Sequence, residues 1–212
     1  LILSKPDRTF YKKTSLELAK AILGFYLVHI TPHGRMVGKI VETEAYMGIH
    51  DKAAHSYNNN RTKRTEVMFG PPGHAYIYLI YGIYHCMNIV AAETDTPQAV
   101  LIRALEPVEG MESMAQLRYK KSLHQCSKKE KTGLSNGPGK LCQAMDISRS
   151  ENGLDLVNSK HMFLLEDDPP DKKDIITSTR INIGYAEEAI HFPYRFYINS
   201  SPYVSVKVNT SK

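Results

Sequence analysis

The chain has 212 residues, of which 42% are hydrophobic, so it is long enough to bury a substantial core. Its longest apolar runs, such as residues 75–80, are far too short to cross a bilayer, which argues against a transmembrane helix. Charged residues and a proline interrupt residues 1–15, so they do not resemble a signal peptide, and we expect a soluble, intracellular protein. The three cysteines form no C-x-x-C pair and predict neither a structural zinc site nor a disulfide framework.

The formal net charge of +5 is concentrated in one segment of the chain. Residues 112–140 contain seven lysines and arginines against two glutamates, a surplus that equals the whole net charge. A second short cluster holds Arg61, Lys63 and Arg64. A localised surplus is typical of a nucleic-acid footprint, although a basic enzyme whose charge only aids solubility would have the same total.

Residue patterning predicts strands and helices that interleave along the chain. A helix capped by Thr14 or Ser15 should end at Gly24, while the lysine-rich segment 120–131 is expected to be an exposed loop. The predicted strands cover residues 25–31, 36–46, 75–80, 84–90 and 99–105, with two more in 194–208; further helices include residues 111–117 and 141–145; the polar segment 47–74 and the acidic segment 166–174 are read as loops. Because short turns join the strands, we expect an α+β fold: a single domain over residues 1–212 with a mostly antiparallel sheet, a protruding hairpin and surrounding helices.

A hairpin rich in tyrosine is predicted around Gly82. Tyrosine is common in strands that pack on a core, which accounts for most of the four tyrosines in residues 75–88. Tyr81 differs because it stands beside Gly82 at the tip, where an aromatic side chain has nothing to bury against unless a partner supplies it. A wedge inserted into a base stack is one such use.

Two carboxylates, Glu42 and Glu44, share one face of the predicted strand 36–46 with Tyr46, because side chains alternate along a strand. Neighbouring carboxylates repel each other, so folding alone gives no reason for the pair. An edge strand with a solvated acidic face explains the spacing, and so does a general base beside an aromatic ring that lowers the local polarity.

A single arginine, Arg103, interrupts the otherwise apolar strand 99–105. A charged side chain at such a position must be paired or face a cleft, because burial without a partner is costly. A structural salt bridge to a glutamate and a place in a functional cleft both satisfy this requirement.

Motifs for other chemistries fail on detail. The histidines and cysteines lack the spacing of metal ligands, so no metal is implied. Residues 137–140 resemble a phosphate-binding loop only superficially, because Leu134 stands where that motif needs glycine and Leu141 where it needs serine or threonine. Lys140 is instead read as a cation at the start of a helix, suited to a DNA phosphate.

Short segments spread over nearly the whole chain resemble one enzyme family. They are ETEAY (42–46), AAHS (53–56), YGIY (81–84), CMN (86–88), RALEP (103–107), GP (137–138), KLCQA (140–144) and SP (201–202). Each is short, but the ordered set closely resembles the alkyladenine (3-methyladenine, or methylpurine) DNA glycosylases. The resemblance implies base excision repair, in which an alkylated or deaminated purine of the 3-methyladenine, 7-methylguanine, hypoxanthine and ethenoadenine class is flipped from the duplex and its N-glycosidic bond is hydrolysed.

The resemblance also implies a monofunctional enzyme that leaves an abasic site and uses no metal or organic cofactor. Its partner would be double-stranded DNA with a damaged purine, with no membrane involved, and the enzyme would be a monomer. Glu44 would be the base that activates water and Arg103 would help to hold that water. The other site residues expected are Tyr46, His55, Tyr78, Asn88, Leu101 and Ala53 around the base, with Tyr81, Gly82, Ile83, Lys140, Arg61 and Arg64 on the DNA.

Within these implied roles, Tyr46, His55 and Tyr78 form aromatic walls, Asn88 excludes guanine, and Tyr81 fills the gap left in the duplex. Both Tyr78 and Asn88 must then lie on one face of the hairpin. A two-residue turn would separate them, whereas a three-residue loop, residues 81–83, pairs Ile80 with Tyr84 and brings them together. We therefore predict the three-residue loop.

Two other functions fit parts of the sequence. A non-enzymatic nucleic-acid-binding module needs the basic segment and the hairpin aromatics but neither Glu44 nor Arg103. An enzyme that modifies RNA would prefer single strands or the 2′-hydroxyl. A purely structural protein leaves the paired carboxylates and the arginine in an apolar strand unexplained.

Overall fold

The strand that carries Glu42 and Glu44 lies inside one eight-stranded sheet. The structure, a computed structural model, describes residues 4–208. Residues 1–3 and 209–212, the two ends of the predicted domain, lie outside the described residues. The strands are β1 (Tyr26–Thr31), β2 (Gly34–Tyr46), β3 (Ala75–Ile80), β4 (Tyr84–Ala91), β5 (Gln98–Glu109), β6 (Met162–Leu165), β7 (Ile175–Ser178) and β8 (Arg195–Ile198). Every strand pair within the described residues is antiparallel, which confirms the predicted α+β class.

Strand β2 has three neighbours, which is why it can hold a site at its centre. Its first half pairs with β1 and residues 42–44 pair with β8 along the same edge, while β5 follows the other edge. The β2–β5 register shifts on both sides of Glu42, and such an irregularity bends a strand and re-aims its side chains. The opposite face of β2 enters the main core through Val41 and Ala45. The predicted division of the two faces is therefore confirmed.

The helices are α1 (Ser15–Ala21), α2 (Met111–Tyr119), α3 (Lys128–Thr132) and α4 (Pro138–Ala144). Helix α1 is capped by Thr14, one of the two predicted N-caps, and Thr14 and Glu17 bond to each other's backbone N–H groups in a capping box. It ends before Gly24, whose positive φ of +92° favours glycine. The core that covers the sheet includes Leu18 from α1, Met114 from α2 and Leu141 from α4.

Three sequence predictions of secondary structure are wrong. The supposed loop 120–131 contains the start of α3, because Ser127 and Glu130 form a capping box there. Residues 194–208 form only one strand, β8, since the segment after it turns back toward Glu42 instead of joining the sheet. The short strands β6 and β7 were not predicted, because four residues are too few to show a clear alternation.

The tyrosine hairpin β3–β4 has the predicted three-residue loop. Ile80 pairs with Tyr84, and Tyr81 and Gly82 take positive φ angles of +53° and +72°. Tyr81 at the tip is 76% exposed, as expected for a side chain without an intramolecular partner. None of the helices within residues 4–208 has the length and apolar character needed to cross a membrane.

Candidate active site

Glu44 is fully buried, and three different parts of the chain hold its carboxylate. The backbone N–H of Ile181 donates to Oε1 at 2.8 Å, and the guanidinium of Arg103 lies 3.3 Å from the same oxygen. The hydroxyl of Tyr46 donates to Oε2 at 2.9 Å. A cation and two further donors therefore fix the position and orientation of this buried carboxylate.

Glu42, although it is also fully buried, has a different environment from Glu44. Its Oε1 accepts from Arg195 at 2.7 Å and from Arg103 at 3.2 Å, and it also accepts from the Ser205 hydroxyl at 2.9 Å. Its Oε2 accepts from the backbone N–H of Ser205 at 2.7 Å. These four bonds join β2, β5, β8 and the C-terminal segment, so we infer that Glu42 stabilises the packing of these elements.

Arg103 connects the two carboxylates, since its Nε donates to Glu42 and its terminal nitrogen pairs with Glu44. Burial acts to lower its pKa, but the charges of Glu44 and Glu42 outweigh this effect and raise the pKa. The arginine therefore stays charged. It both forms a buried ion pair and lines a cleft, so the two possibilities left open by the sequence are both present.

A cleft of about 750 Å³ opens beside these groups. Glu44 lies just beneath its surface, behind three groups that bond to it. The lining includes Tyr46, Arg103 and Ile181, which are the three partners of Glu44. It also includes Tyr78, Leu101 and Cys86 from the sheet, and the cationic side chains of Arg64, Arg118 and Lys140. The cleft thus combines aromatic and apolar walls with positive charge at its edge, which suits a flat ring attached to a phosphate backbone.

Aromatic rings form one wall of the cleft. The ring centroids of His55 and Tyr78 lie 4.5 Å apart in an edge-on arrangement, and His55 Nδ1 lies 2.8 Å from the hydroxyl of Tyr76. Burial, aided by the charge of Arg64, lowers the pKa of His55 to about 4. His55 is therefore neutral near pH 7 and contributes an uncharged ring to the wall.

A small pocket of about 30 Å³ lies behind this wall, with room for about one water molecule. Asn88 is in its lining and donates from Nδ2 to the backbone oxygen of Tyr76 at 3.1 Å, so its amide orientation is set by the hairpin. Ala53 also lines it, and its backbone oxygen accepts from the Tyr185 hydroxyl at 3.2 Å. Tyr185 lines both the pocket and the cleft, and sequence patterning did not single it out.

The sequence model of one family, methylpurine-DNA glycosylase, matches residues 9–202. Curated relatives from Alkaliphilus oremlandii (strain OhILAs) and Desulfitobacterium hafniense (strain Y51) are 53% and 52% identical over 203 and 200 residues. These alignments cover 96% and 94% of this chain and 100% and 98% of the relatives, both of which are assigned as 3-methyladenine DNA glycosylases.

This chain belongs to the methylpurine-DNA glycosylase family. It is therefore an enzyme of DNA repair, a monofunctional glycosylase that acts on alkylation damage in DNA. The resemblance inferred from the sequence is confirmed, and the non-enzymatic module and the RNA-modifying enzyme are set aside.

The fold of this glycosylase brings most of the sequence-predicted residues to one place. The cleft and its small pocket gather Tyr46, His55, Tyr78, Tyr81, Arg64, Lys140, Leu101, Arg103, Asn88 and Ala53. Gly82 and Ile83 lie beside the cleft at the hairpin tip, where Ile83 is 68% exposed. Arg61 is the exception, because it lies outside the cleft and is paired with Glu66 and Asp95.

Sequence patterning carries no signal for several groups of the candidate site. The backbone N–H of Ile181 bonds to the carboxylate, and Arg180 beside it forms a buried ion pair with Asp51. Both depend on long-range packing of an irregular segment that has no periodic pattern. Within the described part of the chain, no group of three or more His, Cys, Asp or Glu side chains is arranged to hold a metal ion.

Proposed function

We propose that this glycosylase rotates a damaged purine out of the duplex into the cleft and hydrolyses its N-glycosidic bond with a water molecule that Glu44 activates. The observation that carries the proposal is the environment of Glu44. It is a fully buried carboxylate that bonds to Tyr46, Arg103 and Ile181, all of which line the cleft.

The flipped base would lie between Tyr46 on one side and the His55–Tyr78 wall on the other. Flat aromatic faces stack on any purine and bind most strongly to an electron-poor, alkylated ring. The oriented amide of Asn88 would crowd the 2-amino group of guanine and so exclude that normal base. Extrusion costs a few kcal/mol, less for a damaged base that pairs poorly, which adds selectivity.

The chemistry would begin at Glu44 Oε2, where the Tyr46 hydroxyl now donates. A water molecule is an O–H donor of the same kind and would replace this hydroxyl when the ring of Tyr46 moves to stack on the base. Glu44 would take a proton from that water while the oxygen of the water attacks the sugar carbon C1′. The C1′–N bond breaks, and its electron pair leaves with the base.

Electrostatics would help this step in two ways. The sugar becomes cationic in the transition state, and the Glu44 carboxylate stabilises that positive charge. Arg103, whose own pKa is raised, would stay charged beside Glu44 and orient the water. A positioned base contributes about 10²- to 10⁴-fold to the rate, and preorganised charges contribute a similar factor of roughly 10²- to 10³-fold.

Product analysis tests the proposal. The protein is incubated with methylated duplex DNA and, separately, with a duplex that contains one hypoxanthine. Release of free 3-methyladenine or hypoxanthine, with the backbone left intact at an abasic site, is the expected result. Excess unlabelled RNA should not suppress the release. Strand cleavage without alkali, or no release from either duplex despite binding, would contradict it.

A further inference from the structure

A second buried ion pair lies beside Glu44. Arg180 and Asp51 have fully or almost fully buried side chains and form a two-pronged bond, with nitrogen–oxygen distances of 2.5 and 2.8 Å. A buried ion pair is weak evidence for stability, because desolvation of the two charges offsets most of their attraction. The pair therefore needs another explanation.

Arg180 contacts the two residues that follow Glu44 in β2. It donates to the backbone oxygen of Ala45, the residue between Glu44 and Tyr46, at 2.9 Å. Its guanidinium carbon lies 4.9 Å from the ring centroid of Tyr46. The next residue in the chain is Ile181, whose N–H donates to Glu44. The guanidinium thus fixes the backbone on which two of the three partners of Glu44 depend.

Asp51 connects the same arginine to the part of the wall that contains Ala53 and His55, beside the place proposed for the base. Its Oδ1 accepts from the backbone N–H of Ala53, and its Oδ2 accepts from that of Met47, both at 3.0 Å. Ala53 lines the small pocket, and His55 follows two residues later. A shift of Asp51 would therefore move the pocket wall and the end of β2 together.

We propose that Asp51 and Arg180 are positioning residues that couple the wall containing Ala53 and His55 to the carboxylate of Glu44. The inference rests on the proposed function of Glu44. The pair holds this part of the wall, the end of β2 and the Ile181 N–H in one arrangement, so a base seated in the cleft has its C1′ atom aligned with the water on Glu44. Misplacement by about 1 Å lowers a rate by about 10²-fold.

The test separates positioning from folding by removing both charges at once. In the double variant Asp51→Asn with Arg180→Met, the asparagine still accepts a backbone hydrogen bond and the methionine fills similar volume, so no uncompensated charge is buried. We expect a melting temperature near that of the parent and unchanged affinity for lesion-containing duplex. The single-turnover rate of base release should fall by about 10²-fold. Arg180→Lys, which keeps the charge, should recover part of this rate.

The matched control is the partly buried pair Arg8–Asp155, at 2.6 Å and outside the cleft lining. The corresponding double variant, Arg8→Met with Asp155→Asn, should keep the parental single-turnover rate. A folded Asp51/Arg180 double variant with the parental rate would overturn the inference. If the double variant fails to fold, Arg180→Lys decides alone: a parental rate in a folded protein overturns the inference, and a reduced rate with parental affinity supports it. Failure of the proposed function is distinguishable, because Glu44→Gln would then remain active.

Discussion

The backbone N–H of Ile181 donates to Glu44 Oε1 at 2.8 Å, across 137 positions of sequence. The bond joins a loop near the C-terminus to the central strand of the sheet, and Arg103 reaches the same oxygen from β5. The Glu44 carboxylate is therefore held by separate elements of the fold. Such preorganisation lets a charged group stabilise a developing charge without rearrangement during the reaction.

Glu42 and Glu44 should respond differently to loss of charge. Glu42→Gln leaves Arg195 and part of Arg103 buried without a carboxylate, and removing one partner of such a pair costs about 3 kcal/mol. We therefore expect a large fall in the free energy of unfolding in urea. A variant as stable as the parent would show that Glu42 does not stabilise the fold.

Tyr81 at the hairpin tip should affect base flipping rather than chemistry. Tyr81→Ala removes the ring that would fill the gap in the stack, and loss of such stacking is worth about tenfold or more in the flipping equilibrium. Fluorescence of an ethenoadenine in the duplex reports flipping directly. Tyr81→Phe keeps the ring and serves as the control, and normal flipping by Tyr81→Ala would refute the wedge.

His55 should make the stability of the protein fall in acid. Its pKa is about 4 when folded, below the 6.5 of an unperturbed histidine, because of burial and the charge of Arg64. Between these values the unfolded chain binds a proton that the folded chain does not, so the free energy of unfolding decreases as the pH falls. From about pH 7 to about pH 4.5 this contribution amounts to about 2 kcal/mol. His55→Gln should lose that part of the pH dependence, and an unchanged profile would refute the assignment.

Cations at the cleft should control the salt dependence of DNA binding. Arg64 and Lys140 line the cleft, and no carboxylate of the described residues lies within 4 Å of either side chain. Arg64→Gln or Lys140→Gln should each reduce the slope of log affinity against log salt by about one. Arg61→Gln is the matched comparison and should change the slope less, because Arg61 must first release Glu66 and Asp95. Equal salt slopes for all three variants would contradict the assignment of Arg64 and Lys140 as DNA-binding cations.

The sequence predicts those parts of the fold that have a regular local pattern. The face of β2 that carries Glu42 and Glu44 follows from alternation, and the loop of the hairpin follows from placing Tyr78 and Asn88 on one face. The cap of α1 follows from the position of Thr14 just before the apolar pattern of the helix. Each of these depends on residues that are close in sequence or paired across one turn.

The remaining parts of the site depend on contacts between distant segments. Alternation cannot show that Arg195 and Ser205 enclose Glu42, because those residues follow Glu42 by 153 and 163 positions. The same holds for Arg180, whose partner Asp51 lies in a loop without periodicity. The resemblance to family motifs points to Glu44 and Arg103. Only the packed chain distinguishes Glu42, which joins elements of the fold, from Glu44, which lies beside the cleft.

The most direct test of the central claim is the single-turnover rate of hypoxanthine release by Glu44→Gln, compared with the parent at saturating enzyme. The substitution keeps the shape of the side chain and removes its ability to accept a proton. We predict a loss of about 10²-fold or more, with affinity for the lesion duplex retained. A rate near that of the parent would contradict the assignment of Glu44 as the base that activates water.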